Sequence, residues 1–188
     1  METEAVESFF GWINERHRIY QSRLAGKSPP WTEDPILSEY KFTNPFREND
    51  RVTVWMRENW TNPHSFRPHS EIIFNCCLFR MVGTIEFAGW DPNYTKFTIE
   101  KRLDQNLPTF TGAYIITNQG IKAPKSHVVT ELFLKPIWEN KKTLALHISE
   151  QGHSLQHAHK RLGKYKGFGG GGFMAYEVIT DLFYTPVL

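Results

Sequence analysis

The stretch that decides the fold runs from Ser154 to Phe183 and reads SLQHAHKRLGKYKGFGGGGFMAYEVITDLF. Ser154 is a good N-cap, and the residues from Leu155 to Tyr165 follow helical rather than strand periodicity. Gly167-Phe168-Gly169-Gly170-Gly171-Gly172 then interrupts the pattern, and Phe173 to Phe183 resumes it at helical spacing. A nucleotide-binding P-loop needs Gly-x-x-x-x-Gly-Lys-Ser/Thr, but Phe173 and Met174 follow the glycines here. A dinucleotide-binding loop needs a strand before the glycines, and the preceding segment is helical. Both nucleotide readings fail on local chemistry.

Helix, Gly-hydrophobe-Gly, helix is instead the pattern of a helix-hairpin-helix. In that motif, backbone N–H groups at the start of the second helix hold a nucleic-acid phosphate. Lys160, Arg161, Lys164 and Lys166 lie just upstream, so Lys164, Lys166, Gly167, Gly169 and Gly170 are the candidate DNA-binding residues of a hairpin spanning 154–184. A flexible interhelical turn is the alternative.

Working outward, the rest of the chain is also read as helical. Thr3 is placed to cap a first helix in which Phe9, Ile13, Arg16/His17 and Tyr20 recur, with Gly26 as its stop. KSPPWTEDPILSEY, Lys27 to Tyr40, is a rigid connection. Asn44 and Pro45 predict the start of a helix from Phe46 to Trp60. Ser70 predicts the cap of a helix from Glu71 to Met81, apolar nearly all round and therefore buried. A helical stretch is expected from Asp91 to Leu103 and a short irregular or β-like segment from Thr109 to Thr117. Helices are then expected over Ser126–Asn140, bent or shortened by Pro136, and over Thr143–Glu150. With few strand signals in 188 residues, the expectation is one mainly α-helical domain covering 1–188.

Composition narrows the function. Twenty-two Lys and Arg against 20 Asp and Glu leave a net charge of +2, so a generic nucleic-acid coat protein is excluded and any basic surface must be local. Cys76 and Cys77 are adjacent in an apolar run and point to a reducing compartment. The N-terminus lacks the basic start and apolar core of a signal peptide, and no stretch approaches the ~18 apolar residues of a membrane span. A soluble cytoplasmic protein with no membrane association is expected. His153, His157 and His159 lack further ligands, so no metal site is expected.

Three carboxylates are candidate proton acceptors. Asp34 lies between Trp31 and Pro35, where capping the following turn is its alternative role. Asp50 stands between Arg47 and Arg51, where helical ion pairing is the alternative. Asp181 sits near the end of the last helix, where a carboxylate opposes the macrodipole and hints at a role beyond stability.

Arg16-His17-Arg18-Ile19-Tyr20 through Arg23, PWTEDPIL (Pro30 to Leu37) and YKFTNPFRENDR (Tyr40 to Arg51) form one connected pattern. It resembles the family of α-glutamyl/putrescinyl thymine pyrophosphorylases and the related helical domain of 5-hydroxymethyluracil DNA kinases. TGAYII (Thr111 to Ile116) and the closing GFG, FMAYEV and TDLFY blocks look like later parts of the same pattern. The resemblance implies a fold similar to helix-hairpin-helix DNA glycosylases and a part in bacteriophage thymine hypermodification. It implies a transferase that displaces pyrophosphate from a 5-pyrophosphorylmethyluracil base in double-stranded DNA with an amine, an amino acid or polyamine, without a cofactor. The setting would be the cytoplasm of an infected bacterium, and a separate 5-hydroxymethyluracil DNA kinase is a candidate partner.

Chemistry on a base within a duplex requires extruding it and replacing its stacking. Trp31, Phe42, Tyr114 and Tyr176 are candidates for stacking, although each also suits a core. Asn44 is a candidate reader of the uracil edge, with capping as its alternative. Arg23, Arg47 and Arg51 suit the leaving pyrophosphate or DNA phosphates, because the guanidinium fork matches phosphate geometry. A non-catalytic helical DNA-binding module and a glycosylase that excises modified bases are the competing readings.

Overall fold

The computed structural model describes residues 2–82, 110, 112 and 115–188, and every regular element among them is helical. The chain forms two compact units, Met1–Val54 and Trp55–Leu188.

The first unit is built on α1 (Glu2–Leu24). Its N-terminal half is exposed, while Arg16, Ile19 and Ser22 are buried. Since α1 already begins at Glu2, Thr3 lies inside the first turn rather than at the expected cap. Gly26, with φ +69°, ends the helix. Its N–H donates to the Arg23 carbonyl and that of Lys27 to the Ser22 carbonyl, the paired bonds of a Schellman motif that needs a left-handed residue here. Asp34 caps α2 (Pro35–Glu39), its Oδ1 accepting from the N–H groups of Ile36 at 2.8 Å and Leu37 at 2.9 Å.

The helix expected from Phe46 to Trp60 is broken in two. Arg47–Asn49 forms a single 3-10 turn, Asp50 is extended, and α3 (Arg51–Met56) follows. The reason is a change of cap. Asp50 Oδ2 accepts from the Thr53 N–H at 2.9 Å and lies 3.2 Å from the Thr53 hydroxyl, so Asp50 starts the helix. Asn44 instead donates through Nδ2 to the Asn49 carbonyl, closing the loop that precedes it.

In the second unit, a π-helical turn, Arg57–Thr61, and a 3-10 turn, Asn62–His64, lead to α4 (His69–Val82). This helix starts before Ser70, the expected cap, because Pro68 accepts the first turn's bonds from Glu71 and Ile72. Ile72 to Val82 is buried without interruption, as expected of a helix apolar all round. Trp55 stacks on Phe79 at 6.0 Å and Trp60 meets the same ring edge-on at 5.1 Å.

A helical turn Lys125–His127 passes through a π-helical stretch, Val128–Leu134, into α5 (Lys135–Ser149). Two separate helices were expected here. The rod continues because Pro136 falls in the first turn of α5, where a missing N–H is tolerated, and the wider stretch before it absorbs the ring. α6 (Leu155–Leu162) and α7 (Phe173–Leu182) close the unit, with α4 packed on both α5 and α7. Phe74, Phe79, Phe133, Phe168 and Trp60 are fully buried, each such ring contributing ~1.5–3 kcal/mol through burial. The stretch expected to be helical over 91–103 lies outside the described residues, as do 109, 111, 113 and 114; the described residues of 109–117 form no strand. Among the described residues, no helix is long and apolar enough to cross a membrane.

Candidate functional site

The glycine segment between α6 and α7 is an ordered hairpin. Ser154 caps α6, its hydroxyl accepting from the His157 N–H at 3.3 Å. Phe168 is fully buried and anchors the turn. Gly167 adopts φ +87°, and a Cβ there would stand 2.5 Å from the Phe133 ring, so only glycine lets the chain pass over the core. A Cβ on Gly169 would meet the Gly163 carbonyl oxygen at 2.7 Å. Two close approaches therefore require the glycines, which makes this a shaped turn and not a flexible one.

The hairpin also sorts its amides. The Gly167 N–H donates to Gln119 Oε1 at 3.3 Å and the Gly169 N–H to the Tyr165 carbonyl at 3.2 Å. Those of Gly170 and Gly171, both exposed, meet no acceptor among the described residues. They precede the N-terminus of α7, where the helix dipole adds positive potential. His159 Nε2 donates to the Gly172 carbonyl at 3.1 Å and ties α6 to the start of α7. Lys164 and Lys166 are exposed beside the turn. Lys164 also lines a groove of about 330 Å³ with Asn140, Thr143, His147, Arg161 and Tyr165. Tyr176 is exposed on α7.

The first unit holds the second cation-rich group. The Arg23 guanidinium lies 5.2 Å over the Trp31 ring, whose Nε1 donates to the Lys27 carbonyl at 2.7 Å. Arg16 sits 5.6 Å over Phe42 and donates through Nη2 to the carbonyls of Phe42 at 2.6 Å and Thr43 at 3.1 Å. His17 stacks on Tyr20 and meets Phe46 edge-on at 5.1 Å. Arg47 is half-buried and Arg51 exposed. Asp34 and Asp50 cap α2 and α3, and among the described residues each keeps one carboxylate oxygen uncommitted. Arg47 and Arg51 are thus not the partners of Asp50 expected from a continuous helix; the backbone of Thr53 is.

Asp181 belongs to a buried ionic cluster. Its two oxygens accept from Arg80 Nε and Nη2 at 2.5 Å each, and Glu177 stands 3.1 Å from Arg80 Nη1. All three residues are less than a tenth exposed. The charge that opposes the α7 macrodipole is therefore matched by a bidentate guanidinium from α4. Nothing near Asp181 in sequence signals this, because Arg80 is 101 residues away. Burial among α4 and α7 side chains, with Asp181 nearby, also pushes the Cys76 and Cys77 thiols well up.

The three histidines do not converge. His153 is exposed with φ +43°, His157 Nε2 donates to the His147 carbonyl at 2.7 Å, and His159 holds Gly172. Among the described residues, no three His, Cys, Asp or Glu side chains cluster as metal ligands would. Tyr114 lies outside the described residues. Arg80 and Glu177 are the site residues that sequence reasoning did not single out, because their partnership spans nearly a hundred residues of chain. Arg16 carried a local signal, its helical spacing to Arg23 and its place in the block that runs to Arg51.

The class defined so far is an all-helical protein, among the described residues, with a basic glycine hairpin in one unit and an arginine–aromatic group in the other. Residues 3–188 match the family described as 5-hmdU DNA kinase, helical domain, and the chain belongs to that family. It is 29% identical over 126 residues to a 5-hmdU DNA kinase of Bacillus phage SP10, a match covering 60% of this chain and 20% of that protein. The chain thus spans about a fifth of the length of the curated relative it matches. No solved structure matches it significantly.

Proposed function

We propose that this chain takes part in phage thymine hypermodification as a transferase on DNA. In this reading it displaces pyrophosphate from a 5-pyrophosphorylmethyluracil base with an amine, an amino acid or polyamine. The observation that carries the setting is membership of the 5-hmdU DNA kinase helical family over residues 3–188. The pyrophosphorylase assignment rests on the arginine-, Trp- and Asp-bearing block from Arg16 to Arg51.

The amine nitrogen attacks the 5-methylene carbon, the carbon–oxygen bond breaks, and pyrophosphate leaves with the electron pair. Arg23, Arg47 and Arg51 stabilise the departing charge. The amine loses a proton as it bonds, and a carboxylate accepts it. Asp34 and Asp50 suit that role through their uncommitted oxygens. Asp181, with both oxygens on Arg80, serves by fixing α7. Trp31 supplies a stacking face and Asn44 an amide for the uracil edge. The hairpin from Ser154 to Tyr184 works as a helix-hairpin-helix of the kind found in DNA glycosylases, with Lys164, Lys166 and the amide of Gly170 on a DNA phosphate. Gly167 and Gly169 shape that turn, and Tyr176 presents a ring on the helix that follows.

The test is intact-nucleoside mass spectrometry after incubating the protein with duplex DNA containing pyrophosphorylated 5-hydroxymethyluracil and a mixture of amines. An amine-bearing nucleoside is expected, reduced at least tenfold by Arg47→Ala or Asp34→Asn. Abasic sites in the product would indicate a glycosylase. The match to one domain of a much longer kinase favours a second reading, a non-catalytic DNA-binding module acting with a separate kinase. Duplex binding without any new nucleoside would establish it.

A further inference from the structure

Arg16 is 7% exposed, yet among the described residues no carboxylate pairs with it. Its hydrogen bonds go to two neutral carbonyls, both through Nη2, and its Nε is buried without a partner among the described residues. A guanidinium carries five N–H donors, so much of its capacity is unused. Burying a cation away from water costs several kcal/mol unless a charge and hydrogen bonds compensate it. Here the surroundings add to the cost. Burial and the nearby Arg23 charge both depress the Arg16 pKa, the burial more strongly.

The adjacent carboxylate on α1 and the two capping carboxylates of this unit hold other donors. Glu15 turns to Arg18, with bonds of 2.5 and 2.8 Å. Asp34 and Asp50 accept from helix N-termini. The neighbouring His17 Nδ1 is likewise buried without a partner. Arg16 and Arg23 are seven residues apart on α1, which places them on one face about 10 Å apart along the axis. Two arginine side chains rooted at that separation can converge on one tetrahedral anion. Phe42 beneath Arg16 and Trp31 beneath Arg23 hold the two guanidinium planes.

We infer that the first unit contains an anion site, with Arg16 as its buried floor and Arg23 as its exposed rim, which takes a phosphate-bearing group. The ligand supplies the missing countercharge, relieves the repulsion between the two arginines and accepts the idle donors of Arg16. Phosphate rather than carboxylate is the better match, because its several oxygens can meet two guanidinium forks at once. The site extends the assignment of Arg23 to substrate made above and adds Arg16 to it. It does not depend on amine transfer taking place.

The experiment uses the whole chain with two probes, inorganic pyrophosphate and an unmodified 20-base-pair duplex. Binding is measured by calorimetry at fixed ionic strength, and the arginine Nε–H resonances are followed by NMR. We expect pyrophosphate to shift the Arg16 Nε–H resonance, and Arg23→Gln, a change at an exposed position, to weaken binding at least tenfold. Arg16→Gln should abolish it; if that variant does not fold, the resonance and Arg23→Gln decide the matter. A shift with duplex alone identifies a DNA backbone phosphate as the ligand, and a shift with pyrophosphate identifies the free or leaving group. An Arg16 resonance unmoved by either probe, or binding unchanged in Arg23→Gln, overturns the inference. Pyrophosphate binding without any amine transfer would remove the proposed reaction and leave this site standing.

Discussion

Replacing Asp181 by Asn tests what the buried carboxylate does. In the native unit Asp181 accepts two charge-assisted bonds of 2.5 Å from a guanidinium that is 4% exposed, and is itself 3% exposed. An Asn side chain keeps the shape but offers one oxygen and no charge, and it points an NH₂ group at a second donor. Breaking a buried pair from one side costs ~3–5 kcal/mol; Arg80 would keep Glu177, 3.1 Å from Nη1, but Nε and Nη2 would lose their charged acceptor. For a chain of this size that corresponds to a fall of ~6–20 °C in Tm, at ~2–4 °C per kcal/mol. Urea unfolding followed by tryptophan fluorescence is a suitable assay. Trp60 is fully buried against Phe79, the neighbour of Arg80, and reports on the same packing. By contrast, Asp34→Asn should cost only a few tenths of a kcal/mol, since Asn caps helices about as well as Asp. A loss below ~1 kcal/mol for Asp181→Asn would refute the electrostatic reasoning. If transfer activity vanished at unchanged stability, Asp181 would belong to the chemistry.

The hairpin predicts a contrast between glycines. Gly169→Ala drives a Cβ to 2.7 Å from a backbone oxygen and should cost ~1–3 kcal/mol and weaken duplex binding, whereas Gly171→Ala meets nothing within 4 Å and should leave both intact. Glu15 predicts an acid limb. The hydrogen bond from Arg18, followed by that from Thr32, lowers its pKa from 4.5 to about 2. Its contribution is therefore present above pH 4.5 and is lost as the pH falls towards 2, and Arg18→Ala should flatten stability over that window in acid titrations. Cys76 and Cys77, buried with raised pKa, should resist a thiol-reactive disulfide reagent at pH 8 in the native protein and react promptly in urea.

Local chemistry by itself determined a good deal of this protein. The all-apolar run of α4, the Ser154 cap, the Gly26 stop and the glycine turn between α6 and α7 each follow from side chains within a few residues of one another. The Arg16-to-Arg51 block and the closing glycine and aromatic blocks were also enough to point to the helical-domain family of 5-hmdU DNA kinases. Neighbouring elements decided the rest. The start of α3 depended on whether Asn44 or Asp50 would cap it, two comparable local choices separated only by the loop that Asn44 closes onto Asn49. Pro136 reads as an interruption until a π-helical stretch before it makes room for the ring. Asp181 looked misplaced against its own helix dipole because its partner, Arg80, comes from a helix 101 residues away. The burial of Arg16 without a countercharge is likewise invisible in one dimension. Periodicity shows which face a residue occupies, but the charges that reach a buried group are set by chain segments distant in sequence, and only the folded protein brings those together or leaves them out.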